Sequence, residues 1–231
     1  MQAVDRGLSW LWRLTIILGL VIGVMMPPLL LQLVNELTGV SALAGWRVTA
    51  VILYFGLFLG ISGIAYAVYQ HYTGELTLKK LAWSDVWLIG GGYLVIIGGE
   101  GVFQFINQVI YQQSETQNNA AIEDLMSGSS MAMIMMAVSA VFLTPIMEEL
   151  VFRAVLTNLF LRQTSLKILL SAVVFGSMHA STTLPSFLIY FTMGLILASV
   201  YRFSGKIQDS IILHFLINAG AMSLMLLSWQ A

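Results

Sequence analysis

Apolar residues run along this chain in long blocks separated by short polar breaks. Residues 14–35 hold no charged side chain, and neither do 48–74, 125–147, 168–201 and 210–231. A helix rises about 1.5 Å per residue, so a bilayer core of ~30 Å needs roughly 20 apolar residues. The 168–201 block is too long for one helix and breaks at Ser181-Thr182-Thr183-Leu184-Pro185. Threonines suit a turn there, and Pro185 suits the first turn of a helix, where its missing N–H is not needed. That block divides into spans at about 166–180 and 185–202, and another span over 86–110 is interrupted by Glu100.

The expectation is an all-α, polytopic transmembrane helical bundle of about seven spans. It forms a single integral membrane domain over residues 1–231, with N-terminal helices in 1–124 and a motif-bearing core in 125–231. Residues 14–35 are too long for the apolar region of a signal peptide and read as a retained first helix. Pro27 and Pro28 end or kink that helix, with a bent continuation beyond.

Composition turns this pattern into a class. The 231 residues are 58% hydrophobic and 9% charged, where a soluble domain carries about a quarter charged residues. The mean hydropathy is +0.88. A net charge of −1 lacks the basic footprint of a nucleic-acid binder. With no Cys, disulfides, thiolate metal sites and a cysteine nucleophile are excluded. The lipid bilayer of the cell membrane is the one partner that composition demands.

Lys and Arg set the orientation. With a cytoplasmic N-terminus, Arg6, Arg13, Lys79, Lys80, Arg162, Lys167, Arg202 and Lys206 lie inside, and Arg47 lies outside. The 111–130 loop holds Glu115, Glu123 and Asp124 without a basic residue and faces out. Gly19 with Gly23, and Gly56 with Gly60, have the four-residue spacing that lets helices approach closely in lipid. The glycines at 90–92, 98, 99 and 101 read as a flexible or closely packed third span rather than a phosphate loop, because no G-K-[ST] follows.

Polar side chains inside these spans carry the chemistry, since each is costly unless it pairs or faces a cavity. Glu100 is one. Glu149 and Arg153 are four apart on one helix and can form a charge-assisted pair, while Glu148 points about 100° away around the helix and is left for another task. Phe175 and His179, and His214 and Asn218, repeat the spacing of four. His71 lies beside Tyr69 and Tyr72 and reads as an interfacial residue. Counting from the basic loops, Glu148 is about 21 Å from Arg162, His179 about 18 Å from Lys167, and His214 and Asn218 about 12 and 18 Å from Lys206. The four therefore reach one layer, accessible on this count from the cytoplasmic side.

The motifs E-E-x-x-x-R (Glu148, Glu149, Arg153), F-x-x-x-H (Phe175, His179) and H-x-x-x-N (His214, Asn218) resemble those of the CPBP family. That family comprises CAAX proteases and bacteriocin-processing or self-immunity proteins, which are intramembrane glutamic endopeptidases. The resemblance covers roughly residues 125–225, and the first three helices match nothing. Ala154 stands where many members have Gly, a difference that concerns packing. The resemblance implies a cavity facing the cytoplasm, Glu148 as the carboxylate that activates water with help from His179, and His214 and Asn218 as donors to the oxyanion. It implies no metal and no cofactor, and a membrane-associated peptide or protein as substrate.

The residues themselves leave two alternatives open. Glu148, His179 and His214 form a two-His, one-carboxylate set that could hold zinc, though no H-E-x-x-H is present. A non-enzymatic bacteriocin-immunity or partner-binding protein could retain the same motifs. A transporter is disfavoured by the lack of internal repeats.

Overall fold

A computed structural model describes the backbone of residues 2–74 and 78–228, with side chains from residue 9 onward. The Arg6 side chain and the last three residues of the 210–231 block lie outside the described residues. The helices are α1 (Gln2–Leu37), α2 (Ala44–Thr73), α3 (Trp83–Tyr111), α4 (Gln117–Ser127), α5 (Ser130–Phe160), α6 (Thr164–Met178), α7 (Leu184–Ser204) and α8 (Ile207–Ser228). Among the described residues, six helices (α1, α2, α3, α5, α7 and α8) are long and apolar enough to cross a membrane. The chain is a multi-pass integral membrane protein.

The span expected at 166–180 corresponds to α6, which has the same length and lies two residues earlier. Helix α6 has 15 residues, about 22 Å of rise against a core of ~30 Å. It stops because His179 takes an extended backbone (φ −95°, ψ 130°). The chain then runs without helix to Thr183, whose hydroxyl accepts a bond from the Ser186 N–H at 3.2 Å and starts α7. Pro185 sits in the first turn of α7, as its fixed φ favours. The break is held inside protein: Thr183 also donates to the Asn107 side chain of α3 at 2.6 Å. Irregular backbone at membrane depth survives only with such partners. Pro27 and Pro28, by contrast, do not end α1, which runs on as helix to Leu37.

Polar contacts sort the helix ends into two groups. At one end, Arg13 donates to the Leu159 carbonyl at 2.7 Å, and Lys167 donates to the Asn158 side chain at 2.9 Å. Lys206 bonds the Lys80 carbonyl at 2.9 Å and pairs with Asp85 at 2.5 Å. Lys79 reaches the Gly205 carbonyl at 2.9 Å. This end gathers the start of α1 with the α2–α3, α5–α6 and α7–α8 connections. At the other end, the Asn35 amide donates to the Leu125 carbonyl at 2.9 Å and its oxygen accepts from Ser129 at 3.0 Å. Helix α4 lies at that second end, between α3 and α5.

Two apolar clusters fill the interior. One joins α5, α6, α7 and α8 to α1 and α2 through residues such as Val151, Phe152, Phe175, Leu197 and Leu213. The other joins the later half of α1 and the early half of α2 to α5 through Leu31, Tyr54, Phe58 and Met147. Of the four spaced glycines, only Gly23 is packed, against Ile61, and Gly19, Gly56 and Gly60 meet open space. The α3 glycines divide likewise: a Cβ on Gly92 would come 2.9 Å from Leu213 and 3.3 Å from Ile196, whereas Gly90, Gly91, Gly98 and Gly101 have nothing near.

The closest helix pair is α6 with α7. A Cβ on Gly194 would stand 3.0 Å from the Ala172 Cα and 3.2 Å from the Phe175 Cβ, and one on Gly176 would stand 3.1 Å from the Phe191 backbone. Small residues allow this approach, and backbone cannot move aside as a side chain can. Gly194→Ala should lower stability by about 1–3 kcal/mol, the usual cost of overpacking. Gly90→Ala should not. Thermal unfolding of the two purified variants in the same detergent checks the contrast.

Candidate active site

Helix α5 departs from regular α geometry on both sides of the paired glutamates. Residues Ser139–Leu143 and Leu150–Val155 form wider π turns, which flank Thr144–Glu149. Such turns are uncommon and frequently occur at functional sites. The first has a readable cause. The Thr144 N–H bonds the Ser139 carbonyl, five residues back. The next carbonyl, Ala140, would take the N–H of residue 145 in that pattern, and residue 145 is proline. The Asn218 amide of α8 supplies the bond instead, donating to the Ala140 carbonyl at 2.8 Å. An amide NH₂ has two hydrogens, so one remains for the cavity.

The second π turn carries Arg153 beneath the glutamates. Arg153 and Glu149 are both fully buried and pair at 3.1 Å from Nε to Oε2. The guanidinium also lies 4.2 Å from the centre of the Phe175 ring, a cation–π contact that helps offset its lost hydration. Glu149 has further partners on α8: it accepts from the Ser210 hydroxyl and lies 2.9 Å from the His214 Nδ1. The expected ion pair is therefore one part of a larger junction between α5 and α8.

That junction sets the face of His214. With Nδ1 turned to the Glu149 carboxylate, the other ring nitrogen, Nε2, is directed toward Glu148 at 3.9 Å. Glu148 is 12% exposed and Glu149 is not exposed at all. Two adjacent carboxylates thus occupy different surroundings, one locked in protein and one on a cavity wall.

His179 is fixed by different means. It lies just past the end of α6, with Nδ1 2.8 Å from the Phe175 carbonyl. A carbonyl can only accept, so Nδ1 carries the proton and a neutral ring leaves Nε2 as an acceptor. The ring stacks on Tyr190 of α7 at 4.4 Å and 14°, and it also touches Phe175 at 4.5 Å. Tyr190 is itself held by Thr116, at 2.7 Å.

Glu148, His179, His214 and Asn218 all line one cavity of about 220 Å³. Phe175 does not line it and instead packs under both imidazoles, 5.7 Å from His214. The N-terminal helices also build its wall, through Pro27, Pro28, Tyr54, Phe58 and Glu100. Helix α4 adds Asn118, Asn119 and Ile122. The motif spacing brought four of these residues to notice. It did not reveal Ser210, although Ser210 precedes His214 by four and so shares its face. Tyr190 and the Ala140 carbonyl had no signal in sequence. Among the described residues, no group of three or more His, Asp or Glu side chains is arranged to hold a metal ion.

The cavity extends away from the side on which the count from the basic loops placed its access. On α1, α2 and α7 its wall uses Val24 to Pro28, Tyr54 with Phe58, and Ile189 to Met193, which are the halves nearest α4. On α8 the wall begins at His214 and continues to Met225, away from the Lys206 end. The expectations of a cytoplasmic N-terminus and of a cavity entered from the cytoplasm are thus incompatible. A count of residues gives position along a helix, but position alone does not say which side is open.

Fold and site together define a polytopic helical membrane protein with a carboxylate–imidazole cavity at its centre. Residues 130–220, fewer than half of the chain, match the family model described as Type II CAAX prenyl endopeptidase Rce1-like. The chain is 28% identical over 138 residues to YdiL of Bacillus subtilis (strain 168), which carries the name of a membrane peptidase. That match covers 58% of this chain, and the chain spans 54% of the length of this curated relative. No solved structure matches the chain.

The environments of the carboxylates give a stability prediction. Arg153→Ala strands the Glu149 charge in protein, a change that typically costs about 3–5 kcal/mol. Glu100 also lies on the cavity wall, with no hydrogen-bond or ion-pair partner among the described residues. Glu100→Gln should therefore leave stability unchanged or raise it, whereas Arg153→Ala should deplete folded protein in membranes. Expression and thermal unfolding of both variants provide the check.

Proposed function

We propose that this protein is an intramembrane endopeptidase that hydrolyses a peptide bond of a membrane-associated peptide or protein. The similarity of residues 130–220 to that family model supports hydrolase chemistry in general. The finer reading rests on one observation: Glu148, His179, His214 and Asn218, drawn from three separate motifs, line the same cavity.

In this reading Glu148 is the general base. Its carboxylate takes a proton from a water molecule as the water oxygen attacks the scissile carbonyl carbon. His179, with Nε2 as acceptor, helps orient that water. The carbonyl oxygen gains negative charge, and two groups donate to it: Nε2 of His214, as an imidazolium whose Nδ1–H is held by Glu149, and the second N–H of Asn218. When the C–N bond breaks, Glu148 returns its proton to the leaving amine. Glu149, Arg153 and Ser210 take no part in bond making and hold His214 in place. No metal and no cofactor enters any step.

Glu148→Gln should fold normally and lose peptide cleavage, because an amide cannot accept the proton. His214→Ala or Asn218→Ala should lower kcat by about 10²–10³, as loss of one oxyanion donor does. Chelators should leave the wild-type rate unchanged. The substrate can be found by comparing membrane peptides from cells carrying wild-type protein and the Glu148→Gln form, then cleaved with purified protein. Bound zinc with chelator-sensitive cleavage would replace this mechanism with a metal one. A Glu148→Gln protein that keeps its full effect in cells would identify a binding or immunity protein.

A further inference from the structure

Which side of the membrane reaches the cavity follows from two independent observations. The first is geometric. Toward the end holding the α2–α3, α5–α6 and α7–α8 connections, the site is sealed by Val151, Phe152, Arg153, Phe175, Leu197 and Leu213, all wholly buried. Toward the opposite end the cavity continues past Asn218 to Ala221, Met222 and Met225, and to Asn118, Asn119 and Ile122 of α4. Glu148 and His214 thus form the floor of a cavity that extends toward α4.

The second observation is charge. Arg13, Lys79, Lys80, Lys167, Arg202 and Lys206 are tied to one another's connections at the sealed end, and Arg6 and Arg162 belong there by their place in the chain. At the α4 end, Arg47 is the basic residue, while Glu36, Glu115, Glu123 and Asp124 are acidic. Loops rich in Lys and Arg stay in the cytoplasm. The sealed end is therefore the cytoplasmic one.

We propose that the cavity receives its substrate from the extracytoplasmic side, as a neutral or cationic peptide segment. This deepens the endopeptidase reading and rests on it for the word substrate. The sign of the segment follows from the lining, which contains Glu100 and Glu148 and neither Lys nor Arg. A segment carrying a carboxylate would meet repulsion there, and a basic one would be drawn in. A tail modified in the cytoplasm has no route to Glu148 except through the packed floor.

The absence of Cys permits single-cysteine labelling. Ser114→Cys reports the α4 end, Gln163→Cys the basic end, and Ala221→Cys and Asn119→Cys the cavity. Spheroplasts would be treated with a cationic and with an anionic methanethiosulfonate, both unable to cross the membrane, before and after permeabilisation. Ser114→Cys and at least one cavity variant should react in intact spheroplasts, and Gln163→Cys only after permeabilisation. The cationic reagent should gain about tenfold over the anionic one at the cavity relative to Ser114→Cys. Reaction of Gln163→Cys in intact spheroplasts, or of both cavity variants only after permeabilisation or not at all, would overturn the sidedness. Equal reagent preference at cavity and surface would overturn the charge selection. Labelling needs no catalysis, so these outcomes are independent of whether the protein proves to be a peptidase.

Discussion

The Glu149 carboxylate is the group around which the motif-bearing half of the molecule is organised. It sits without solvent contact between α5 and α8, and it gathers Arg153, Ser210 and His214. An isolated ion in such a place costs several kcal/mol, and excellent geometry with further hydrogen bonds is what makes burial tolerable. The carboxylate has two oxygens and several lone pairs, so it can satisfy all three neighbours at once. The consequence for function is indirect. By holding Nδ1 of His214, Glu149 turns Nε2 toward Glu148, and the two adjacent acids divide into one that fixes the site and one that faces the cavity.

The bilayer imposes the second constraint. A spanning helix must satisfy every backbone group internally, so each departure from helix needs a partner from elsewhere in the protein. Three departures lie near the cavity: the π turn before Glu148, the π turn at Arg153, and the extended stretch after α6. The first is completed by Asn218 on Ala140, and the last is anchored by Thr183 on Asn107. Asn218 therefore serves the backbone and the cavity with different hydrogens of one amide. The N-terminal helices lack motifs but still supply much of the wall, including Glu100.

Much of this architecture was readable along the chain. Charge-free blocks located the spans because apolar length is a local property that the bilayer thickness converts directly into a helix. Spacing of four located the Glu149–Arg153 pair and the His214–Asn218 face, because helical period is equally local. The length of α6 was legible to within two residues, because the Ser181–Pro185 break follows it closely. What the chain did not show is that His179, already extended, is held by the Phe175 carbonyl and by stacking on Tyr190 of α7.

Sequence alone determined that this is a helical membrane protein, which residues carry charge into the bilayer, and which end gathers the basic loops. Only the tertiary structure decided that Ser210 bonds Glu149, that Tyr190 stacks on His179, that Ala140 needs Asn218, and that the cavity extends toward α4. These depend on how side chains from helices far apart in the chain fill shared space. Depth along one helix is fixed by counting residues, but an opening exists only where the neighbours leave one, and no single helix encodes its neighbours.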